Sequence, residues 1–315
     1  MPSPVRHTPV LREEVLQYLR PVAGGVYVDC TVGGGGHARA LLAASAPDGR
    51  LLGLDVDPQA AERARRALTE FGQRVVVVNT SYDQLESTAS AHGFEQADGV
   101  LLDLGLSSSQ LDEASRGFSF QKEAPLDMRF DQRADTTAAQ LLATLGEREL
   151  ADIFYLFGEE RRSRSLARTI IEERARRPIT STTQLAELVA RVVHGRPGGI
   201  HPATRAFQAL RIAVNRELEA VEEVLPQATD TLRPGGRLAV ISFHSLEDRI
   251  VKRYFQREAA GCICPPGVPQ CVCGHVPRLK LVTKKPVEAS AAEVTANPRS
   301  RSAKLRVGER LEVRA

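Results

Sequence analysis

Short apolar runs alternate with amphipathic stretches along the first third of the chain. Four runs rich in Val and Leu stand at residues 26–29, 50–55, 75–78 and 99–103. Runs of this length are typical of strands buried on both faces. Stretches with helical periodicity include residues 12–19, 37–44 and 58–71. This alternation predicts a parallel sheet covered by helices.

The pattern changes between residues 107 and 215, where no convincing strand-like run occurs. Helical periodicity is present over residues 137–145, 147–156, 163–176, 183–193 and 202–216. An all-helical stretch of this length has the size of a small domain. We therefore expect it to form a domain of its own.

The alternating pattern resumes after residue 216. It predicts a helix over residues 217–232, a turn at 234–236, a strand over 237–243 and a helix over 246–257. Residues 279–284 and 303–307 look like a final antiparallel pair of strands. Residues 288–298 are low in complexity and predict a loop.

The chain thus divides into a predicted sheet domain, residues 1–106 and 216–315, and a helical domain, residues 107–215. Charge is unevenly distributed along the chain, although the 315-residue chain has a net charge of only +3. Residues 1–106 hold 9 Lys/Arg against 13 Asp/Glu, whereas residues 147–216 hold 13 against 8. This local excess of positive charge indicates a basic face on the helical domain, which could attract nucleic acid.

Composition narrows the class of protein further. With 42% hydrophobic residues the chain can bury a substantial core, and no apolar run approaches the length of a membrane span. Residues 1–7 lack the charged-then-apolar pattern of a signal peptide, so we expect a cytoplasmic protein without a membrane partner. In that reducing compartment the five cysteines are not expected to form a disulfide framework.

A glycine-rich stretch, V-Y-V-D-C-T-V-G-G-G-G-H at residues 26–37, reads as a strand, a tight turn and the start of a helix. Glycines let a ligand approach the backbone, and the free N–H groups of the following helix would face that ligand. Gly33, Gly35 and Ala38 also satisfy the dinucleotide pattern G-x-G-x-x-A. The turn alone is therefore compatible with S-adenosylmethionine and with a nicotinamide dinucleotide.

Three acidic residues end three of the predicted strands. Asp29, Asp55 and Asp103 should converge beside the glycine turn, because the carboxyl ends of parallel strands meet at one edge of a sheet. Asp55 has the spacing expected of a ribose ligand, although it could instead cap the next helix, a role that Asp57 serves equally well. The chain offers no second glycine turn for a second nucleotide half. This favours S-adenosylmethionine over a dinucleotide and weakens an oxidoreductase interpretation.

Several longer motifs carry a resemblance to a known family. They are H-T-P-V-L at 7–11, T-V-G-G-G-G-H at 31–37, L-D-L-G-L-S-S-S-Q-L-D at 102–112, R-G-F-S-F at 116–120, P-L-D-M-R at 125–129, H-P-A-T-R-x-F-Q-A-L-R at 201–211 and S-F-H-S-L-E-D-R-I-V-K at 242–252. The chain resembles the bacterial small-subunit ribosomal RNA methyltransferase H family over nearly its whole length. The resemblance implies a Rossmann-like class I methyltransferase sheet, parallel with an antiparallel C-terminal strand and interrupted by an all-helical domain. It also implies methylation of the N4 amine of a cytidine in the decoding region of 16S rRNA by S-adenosylmethionine.

The resemblance implies the cofactor-binding residues as well. They fall on Gly35, Gly36, His37, Asp55, Tyr82, Asp103 and Gln110. Without the resemblance, Tyr82 would be interpreted as a buried loop aromatic, Gln110 as a solvated helix residue and His37 as a polar residue of the first helical turn.

For catalysis, Asp103 is the best candidate acceptor of the N4 hydrogens. The slot after the fourth strand reads Asp103-Leu104-Gly105 and lacks the acid-or-Asn, Pro-Pro-aromatic motif of many amino methyltransferases. Ser242 and His244 of the S-F-H-S segment are second choices. A single His in a loop more often has a structural role, and that alternative stays open for His244.

The substrate is predicted to be 16S rRNA or a small-subunit particle, and the resemblance takes the helical domain as the RNA-recognition part. Candidate phosphate contacts are Arg161, Arg162, Arg164, Arg168, Arg174, Arg176, Arg177, Arg205 and Arg211, with a basic strip at Arg299, Arg301, Lys304 and Arg306. Helical arginines also occur as solvated residues with i,i+4 acidic partners, which we expect for about half of the set. A non-catalytic RNA-binding protein would keep these arginines. The resemblance also suggests a homodimer.

A cysteine-rich segment departs from many members of the family. Cys262, Cys264, Cys271 and Cys273 form two C-x-C pairs six residues apart, with His275 close behind. Four thiolates could hold one tetrahedral structural zinc ion, although C-x-C is tighter than the usual C-x₂₋₄-C spacing. The alternative is unligated thiols in a loop. Cys30 lies apart and is predicted to belong to the core.

Overall fold

The structure is a computed structural model that describes residues 9–194, 201–267 and 270–312. The predictions on residues 1–7 and the first two residues of the motif at 7–11 lie outside the described residues. The chain divides into two compact units, one formed by the residues up to Gly105 and from Leu218 onward, the other by Leu106–Glu217. These limits fall within two residues of the domain limits proposed from sequence.

The first unit is built on a sheet of eight strands. They are β1 (Val26–Asp29), β2 (Arg50–Asp55), β3 (Val75–Asn79), β4 (Ala97–Asp103), β5 (Leu232–Ser242), β6 (Leu279–Leu281), β7 (Val287–Glu288) and β8 (Lys304–Arg310). The order is β3-β2-β1-β4-β5-β8-β6, and β7 also pairs with β8. Strands β1 to β5 are parallel, whereas β8 runs antiparallel to β5, β6 and β7. The predicted antiparallel C-terminal pair is therefore present.

The described residues form thirteen α-helices. In chain order these are α1 (Arg12–Leu19), α2 (Gly36–Ala44), α3 (Pro58–Ala67), α4 (Leu85–His92), α5 (Ser108–Asp112), α6 (Ala138–Thr144), α7 (Glu147–Leu156), α8 (Ser163–Arg174), α9 (Thr182–Val192), α10 (Ala203–Asn215), α11 (Glu217–Thr231), α12 (Ser245–Glu258) and α13 (Ala291–Ala296). Short 3-10 helices span Thr69–Arg74, Tyr82–Gln84, Ala114–Arg116 and Pro298–Ser302. None of the helices in the described ranges is long and apolar enough to cross a membrane.

Alternate residues of the central strands enter two different apolar clusters. Val28 and Leu102 belong to one cluster with residues of α4, α11 and α12, whereas Tyr27 and Leu101 belong to another with residues of α1, α2 and α3. Successive side chains of a strand point to opposite faces, so both faces of this sheet are covered. This explains why the strands read as continuous apolar runs rather than as alternating ones.

The second unit has its own apolar core. Residues of α6 to α10 meet in it, among them Phe154, Leu166, Leu185 and Leu210, all fully buried. The helices α6 to α10 lie within two residues of the limits predicted from their periodicity. Two of these helices are stabilised at their N-termini by capping boxes. Thr137 pairs with Gln140 at the start of α6, and Ser181 pairs with Gln184 at the start of α9.

Two segments differ from the expectation. The predicted turn at residues 234–236 lies inside β5, where Leu232 pairs with Ala97 and Arg237 with Gly99 across an irregularity that holds Gly235 at φ 81°. The predicted loop at residues 288–298 contains α13. That helix is capped by Ser290 and is tied to the body of the unit where Glu293 Oε1 accepts a hydrogen bond from Leu11 N at 2.8 Å. Neither tertiary contact has a local sequence signal.

Candidate cofactor and active site

The glycine turn joins β1 to α2, as the sequence predicts. Gly33 and Gly35 have φ of 52° and 81°, a left-handed conformation that favours glycine. A methyl group on Gly34 would have no heavy atom within 4 Å, so this side of the turn is open. On Gly36 the same group would lie 2.5 Å from Pro9 Cγ. Gly35 is the N-cap of α2, and no side chain caps that helix.

Thr31 fastens the turn to the neighbouring strand. Its Oγ1 accepts a hydrogen bond from Asp103 N at 2.7 Å, and its own N donates to Asp29 Oδ1 at 3.1 Å. One side chain thus fixes the ends of β1 and β4 relative to each other. No role for Thr31 was predicted. Its place in the motif at residues 31–37, two positions beyond a strand that ends in an acid, was a signal for one.

Asp29, His37 and Asp103 meet at the carboxyl ends of the strands. His37 Nε2 lies 3.5 Å from Asp103 Oδ2, at the limit of a hydrogen bond. Asp29 Oδ2, Asp103 Oδ1 and both ring nitrogens of His37 are buried and have no hydrogen-bond partner in the structure. Buried polar atoms are normally satisfied, so this cluster calls for a polar ligand. His37 is therefore more than a polar residue of a first helical turn.

The pKa values of Asp29 and His37 are shifted by burial and by the neighbouring charges of the cluster. Burial raises the pKa of Asp29 to about 6, and the nearby carboxylates of Asp103 and Asp55 push it in the same direction, whereas His37 opposes them. For His37, burial alone would lower the pKa, but Asp103 and Asp29 outweigh it and the net pKa is raised. The expected convergence of the three strand-end acids is thus present.

Asp55 and Asp57 have different roles. Asp57 caps α3, accepting a hydrogen bond from Gln59 N on Oδ1 at 2.9 Å. Asp55 instead faces the glycine turn, where its Oδ2 accepts from Gly33 N at 2.9 Å and its Oδ1 from Asp57 N at 2.9 Å. Each carboxylate oxygen keeps a further lone pair for a hydroxyl donor. Desolvation raises the pKa of Asp55 to about 6.

The remaining residues implied for the cofactor lie on two other elements. Tyr82 opens the 3-10 helix Tyr82–Gln84 that follows β3, and it packs partly buried against the apolar cluster on that face of the sheet. Gln110 lies in α5 of the second unit, is 6% exposed, and accepts a hydrogen bond from Ser107 N in a capping box. Their roles toward a cofactor stay predictions.

Ser242 and His244 are both engaged within the first unit. Ser242 is buried at the end of β5, with its Oγ 3.5 Å from the carbonyl oxygen of Lys304 on β8, on the side of β5 opposite to β4. His244 is the N-cap of α12. Its Nδ1 accepts from Glu247 N at 3.4 Å, while its Nε2 lies 3.1 Å from Glu247 Oε1. His244 therefore takes part in a capping box with Glu247, which is a structural role of the kind left open by the sequence.

The polar atoms of this site can be compared with the chemical groups of S-adenosylmethionine, the cofactor that the sequence implies. The orphaned atoms of Asp29, His37 and Asp103 can bind a ligand carrying amino, carboxylate and sulfonium groups, because they offer both acceptors and imidazole nitrogens. The open side of Gly34 leaves room for the cofactor to approach the backbone of the turn. The N-terminus of α2, which no side chain caps, favours negative charge. The residues present therefore fit the cofactor.

The four loop cysteines also come together. Cys262, Cys264, Cys271 and Cys273 place their sulfur atoms within 4.8 Å of one another, and none is disulfide-bonded. Cys30 is separate and fully buried in the core, as predicted.

The helical arginines divide by their contacts. Arg174 donates to the carbonyl oxygens of Leu142 and Leu145, and Arg211 forms two hydrogen bonds with Glu217. Arg177 pairs with Glu173 at i,i+4. Arg161 and Arg164 are exposed and form no ion pair with any residue in the described ranges. In the C-terminal strip, Arg306 pairs with Asp248 at 2.7 Å and is 9% exposed.

Comparison with known proteins identifies the family. A profile of the MraW methylase family matches residues 4–311. The Ribosomal RNA small subunit methyltransferase H of Thermomicrobium roseum is 55% identical over 98% of this chain and 95% of its own length. That of Syntrophotalea carbinolica is 54% identical over 97% and 98%.

Among solved structures, an rRNA methylase from Streptococcus thermophilus covers 93% of this chain and 92% of its own, with 11% identity and a TM-score of 0.41. The strand order confirms the sheet inferred from sequence, which is parallel with an antiparallel C-terminal strand. The profile match confirms the resemblance stated from the motifs. The chain belongs to the MraW methylase family.

Proposed function

We propose that this protein methylates small-subunit ribosomal RNA with S-adenosylmethionine, and that its target is the exocyclic N4 amine of a cytidine in the decoding region of 16S rRNA. The observation that carries the methyl transfer is the cluster of orphaned buried polar atoms on Asp29, His37 and Asp103 beside an open glycine turn. Membership of the family, and relatives named for small-subunit rRNA, support the substrate class. The motif resemblance supports the N4 position.

Binding of the cofactor is assigned to the strand ends. Asp55 accepts hydrogen bonds from the ribose hydroxyls with the lone pairs that its two backbone contacts leave over. Gly35 and Gly36 bring the backbone close to the ligand, and His37 with Asp29 and Asp103 surrounds its charged methionine part. Tyr82 is proposed to lie beside the adenine. When bound, the cofactor supplies an electrophilic methyl group.

Asp103 is the proposed acceptor of the N4 hydrogens. The N4 lone pair of cytosine is delocalised into the ring, so the nitrogen has to be oriented as well as brought close. Asp103 Oδ1 is a buried acceptor without a partner, on a strand end that Thr31 holds in place. Such alignment contributes roughly 7–11 kcal/mol to a bimolecular reaction. A strong general base is not required, because the proton can leave after transfer.

The geometry ranks Asp103 above the two second choices. The Ser242 hydroxyl lies toward β8, away from β4, and His244 Nδ1 accepts a hydrogen bond from Glu247 N as the N-cap of α12. We therefore propose a structural role for His244 and none in proton handling for Ser242.

Recognition of RNA is assigned to the helical unit. Its segment 147–216 holds 13 Lys/Arg against 8 Asp/Glu, and the exposed Arg161 and Arg164 in it provide contacts that suit phosphates. The target base has to leave its stack to reach an enzyme active site. The cytoplasmic location and the homodimer stay predictions, testable by cell fractionation and by light scattering of the purified protein.

Labelled-methyl incorporation tests the proposed function directly. The full-length protein is incubated with S-adenosylmethionine and either unmethylated 16S rRNA or small-subunit particles, and nucleosides of the product are separated by mass spectrometry. We expect N4-methylcytidine at a single position. Its absence from a protein that binds the cofactor would leave a non-catalytic RNA-binding protein. Micromolar binding of a nicotinamide dinucleotide, with none of S-adenosylmethionine, would establish the oxidoreductase alternative.

Asp103 variants separate catalysis from binding. We expect Asp103→Ala to lower kcat at saturating cofactor by about 10²–10³, the usual effect of removing one preorganised hydrogen-bonding group from an active site. Asp103→Asn keeps the shape and one acceptor, so its loss should be smaller. A weaker dissociation constant for the cofactor with unchanged kcat would show that Asp103 is only a cofactor ligand.

A further inference from the structure

We propose that Cys262, Cys264, Cys271 and Cys273 bind one structural zinc ion at the loop between α12 and β6. This inference is independent of the methyl-transfer proposal, since no residue of the candidate active site takes part in it.

The sulfur atoms have the arrangement of a tetrahedral thiolate site. The Cys262–Cys271 and Cys271–Cys273 sulfur pairs are 3.5 Å apart, Cys262–Cys273 is 3.9 Å and Cys264–Cys271 is 4.0 Å. A tetrahedral ion with Zn–S bonds of about 2.3 Å spaces its sulfur ligands roughly 3.8 Å apart. Two disulfides would instead bring the sulfurs together as two pairs at about 2.0 Å. The near-equal distances favour one central ion.

Backbone amides surround the sulfurs in the way expected of metal-bound thiolates. Ile263 N donates to Cys273 Sγ and Cys264 N to Cys262 Sγ, at 3.5 and 3.4 Å. Val272 N and His275 N make similar bonds, at 3.4 and 3.5 Å. Such bonds orient sulfur ligands and offset their negative charge. The tight C-x-C spacing is thus compatible with a closed cluster, because each pair folds back on the other.

The His275 ring is not needed as a ligand. Its Nε2 lies 2.9 Å from the carbonyl oxygen of Arg257, to which it can donate. Four thiolates complete a tetrahedron and leave no open position, which is the pattern of structural rather than catalytic zinc. Zinc suits this exposed location better than iron, because Zn²⁺ undergoes no redox chemistry there.

The described part of this loop is held by few contacts with the rest of the unit. Residues 259–267 and 270–278 contain no helix or strand, and none of their side chains is buried. Closing a long loop costs conformational entropy that apolar burial normally offsets. Here Arg278 N donates to Glu258 O at 2.8 Å, the Arg278 side chain pairs with Asp230, and the His275 ring contacts Arg257 O, all close to the C-terminal end of the loop. A metal crosslink in the middle would supply the missing constraint.

The site lies far from the glycine turn. Helix α12 begins beside the carboxyl end of β5 and its fourteen residues lead back about 21 Å along the sheet. The loop therefore sits at the opposite edge, near the start of β5, as the contact of Arg278 with Asp230 also shows. Zinc should accordingly stabilise this edge without affecting cofactor binding.

Metal analysis tests the proposal. Full-length protein purified without chelator should contain about one equivalent of zinc. Cobalt substituted into the protein should give the visible absorption of tetrahedral Co²⁺ thiolate. The Cys264→Ser and Cys271→Ser variants should each lose at least nine-tenths of the zinc, whereas Val272→Ser, at an 81% exposed position between two of the cysteines, should keep it. Binding of S-adenosylmethionine should be unchanged in all of them, which also reports that they are folded.

Three outcomes would overturn the proposal. They are less than a tenth of an equivalent of zinc together with no cobalt thiolate spectrum, stoichiometric iron in place of zinc, and a disulfide among these cysteines in the protein as isolated under reducing conditions. Each can occur with methyl transfer intact, so failure of the zinc site is distinguishable from failure of the proposed function.

Discussion

At the scale of single residues, two neighbouring acids show how position decides the role of a carboxylate. Asp55 and Asp57 follow the same strand, yet Asp57 caps α3 while Asp55 faces Gly33. At the end of β2, Asp55 accepts a hydrogen bond from the glycine turn, whereas Asp57 accepts one from the first turn of α3. The structure gives the cap of α3 to Asp57, so the capping alternative for Asp55 is wrong, and the binding of a ribose by Asp55 stays a prediction.

The ionisation of Asp55 predicts a pH dependence of cofactor binding. With a pKa of about 6, the ionised fraction rises from about a tenth at pH 5 to about nine-tenths at pH 7. The ionised form accepts ribose hydroxyls best, so the dissociation constant should fall about tenfold over this range. Asp55→Asn should bind more weakly and show a smaller pH dependence. Calorimetric titrations at pH 5, 6 and 7 measure both, and an unchanged profile in the variant would contradict the assignment.

His244 offers a test between capping and catalysis. We expect His244→Ala to lose about 1 kcal/mol of unfolding free energy, the usual cost of a lost N-cap, whereas His244→Asn should retain most of it. Thermal melts measure the stability and methyl incorporation measures the activity. If His244→Asn were as stable as the parent but inactive, the residue would be catalytic rather than structural.

At the scale of elements, the strand-turn-helix unit places its chemistry through backbone geometry. Strand β1 delivers Asp29, the turn presents an open backbone and α2 begins without a side-chain cap. The sequence predicted this unit in full, since a buried strand followed by four glycines has few alternative structures. The clamp from Thr31 to Asp103 could not be predicted, because it joins residues 72 positions apart.

Two glycine variants locate the cofactor on this turn. The Cβ of Gly34→Ala would enter open space at a φ outside the left-handed region, so the fold should lose less than about 0.5 kcal/mol while cofactor affinity falls at least tenfold. Gly36→Ala should instead lower the melting temperature, because its Cβ would meet the Pro9 ring. Melting curves and calorimetry separate the two effects. Unaltered affinity in Gly34→Ala would place the ligand elsewhere.

At the scale of the whole molecule, the strand-end acids and the most basic segment of the chain lie in different units, each with its own core. The sheet unit carries the strand-end acids, and within the helical unit residues 147–216 hold 13 Lys/Arg against 8 Asp/Glu. About half of the helical arginines were expected to be solvated or paired on the surface. The structure shows a further use, since Arg174 and Arg211 serve the fold of the unit itself. Contacts of this kind depend on which helices pack together.

A charge reversal tests RNA binding by the helical unit. Arg164→Glu should weaken binding of a 16S rRNA fragment and lower the slope of log affinity against log salt by about 1, as expected for a lost phosphate contact. Arg66→Glu, an equal charge change at an exposed position of α3, is the control. Filter binding at several salt concentrations measures both slopes. Equal slopes for the two variants would argue against a phosphate contact at Arg164.

The sequence by itself determined most of the elements, the strand-end acids, the glycine turn and the family, but not α13 or the strand structure around residues 234–236. Those features depend on local periodicity, on backbone freedom and on motifs that can be read along the chain. The tertiary structure alone decided which polar atoms are left unsatisfied around His37, that His244 is held by Glu247, and that four cysteines meet at one point. These properties depend on distances between particular atoms, whether the residues are distant in the chain, as His37 and Asp103 are, or close, as the four cysteines are. Such distances exist only after the chain has folded.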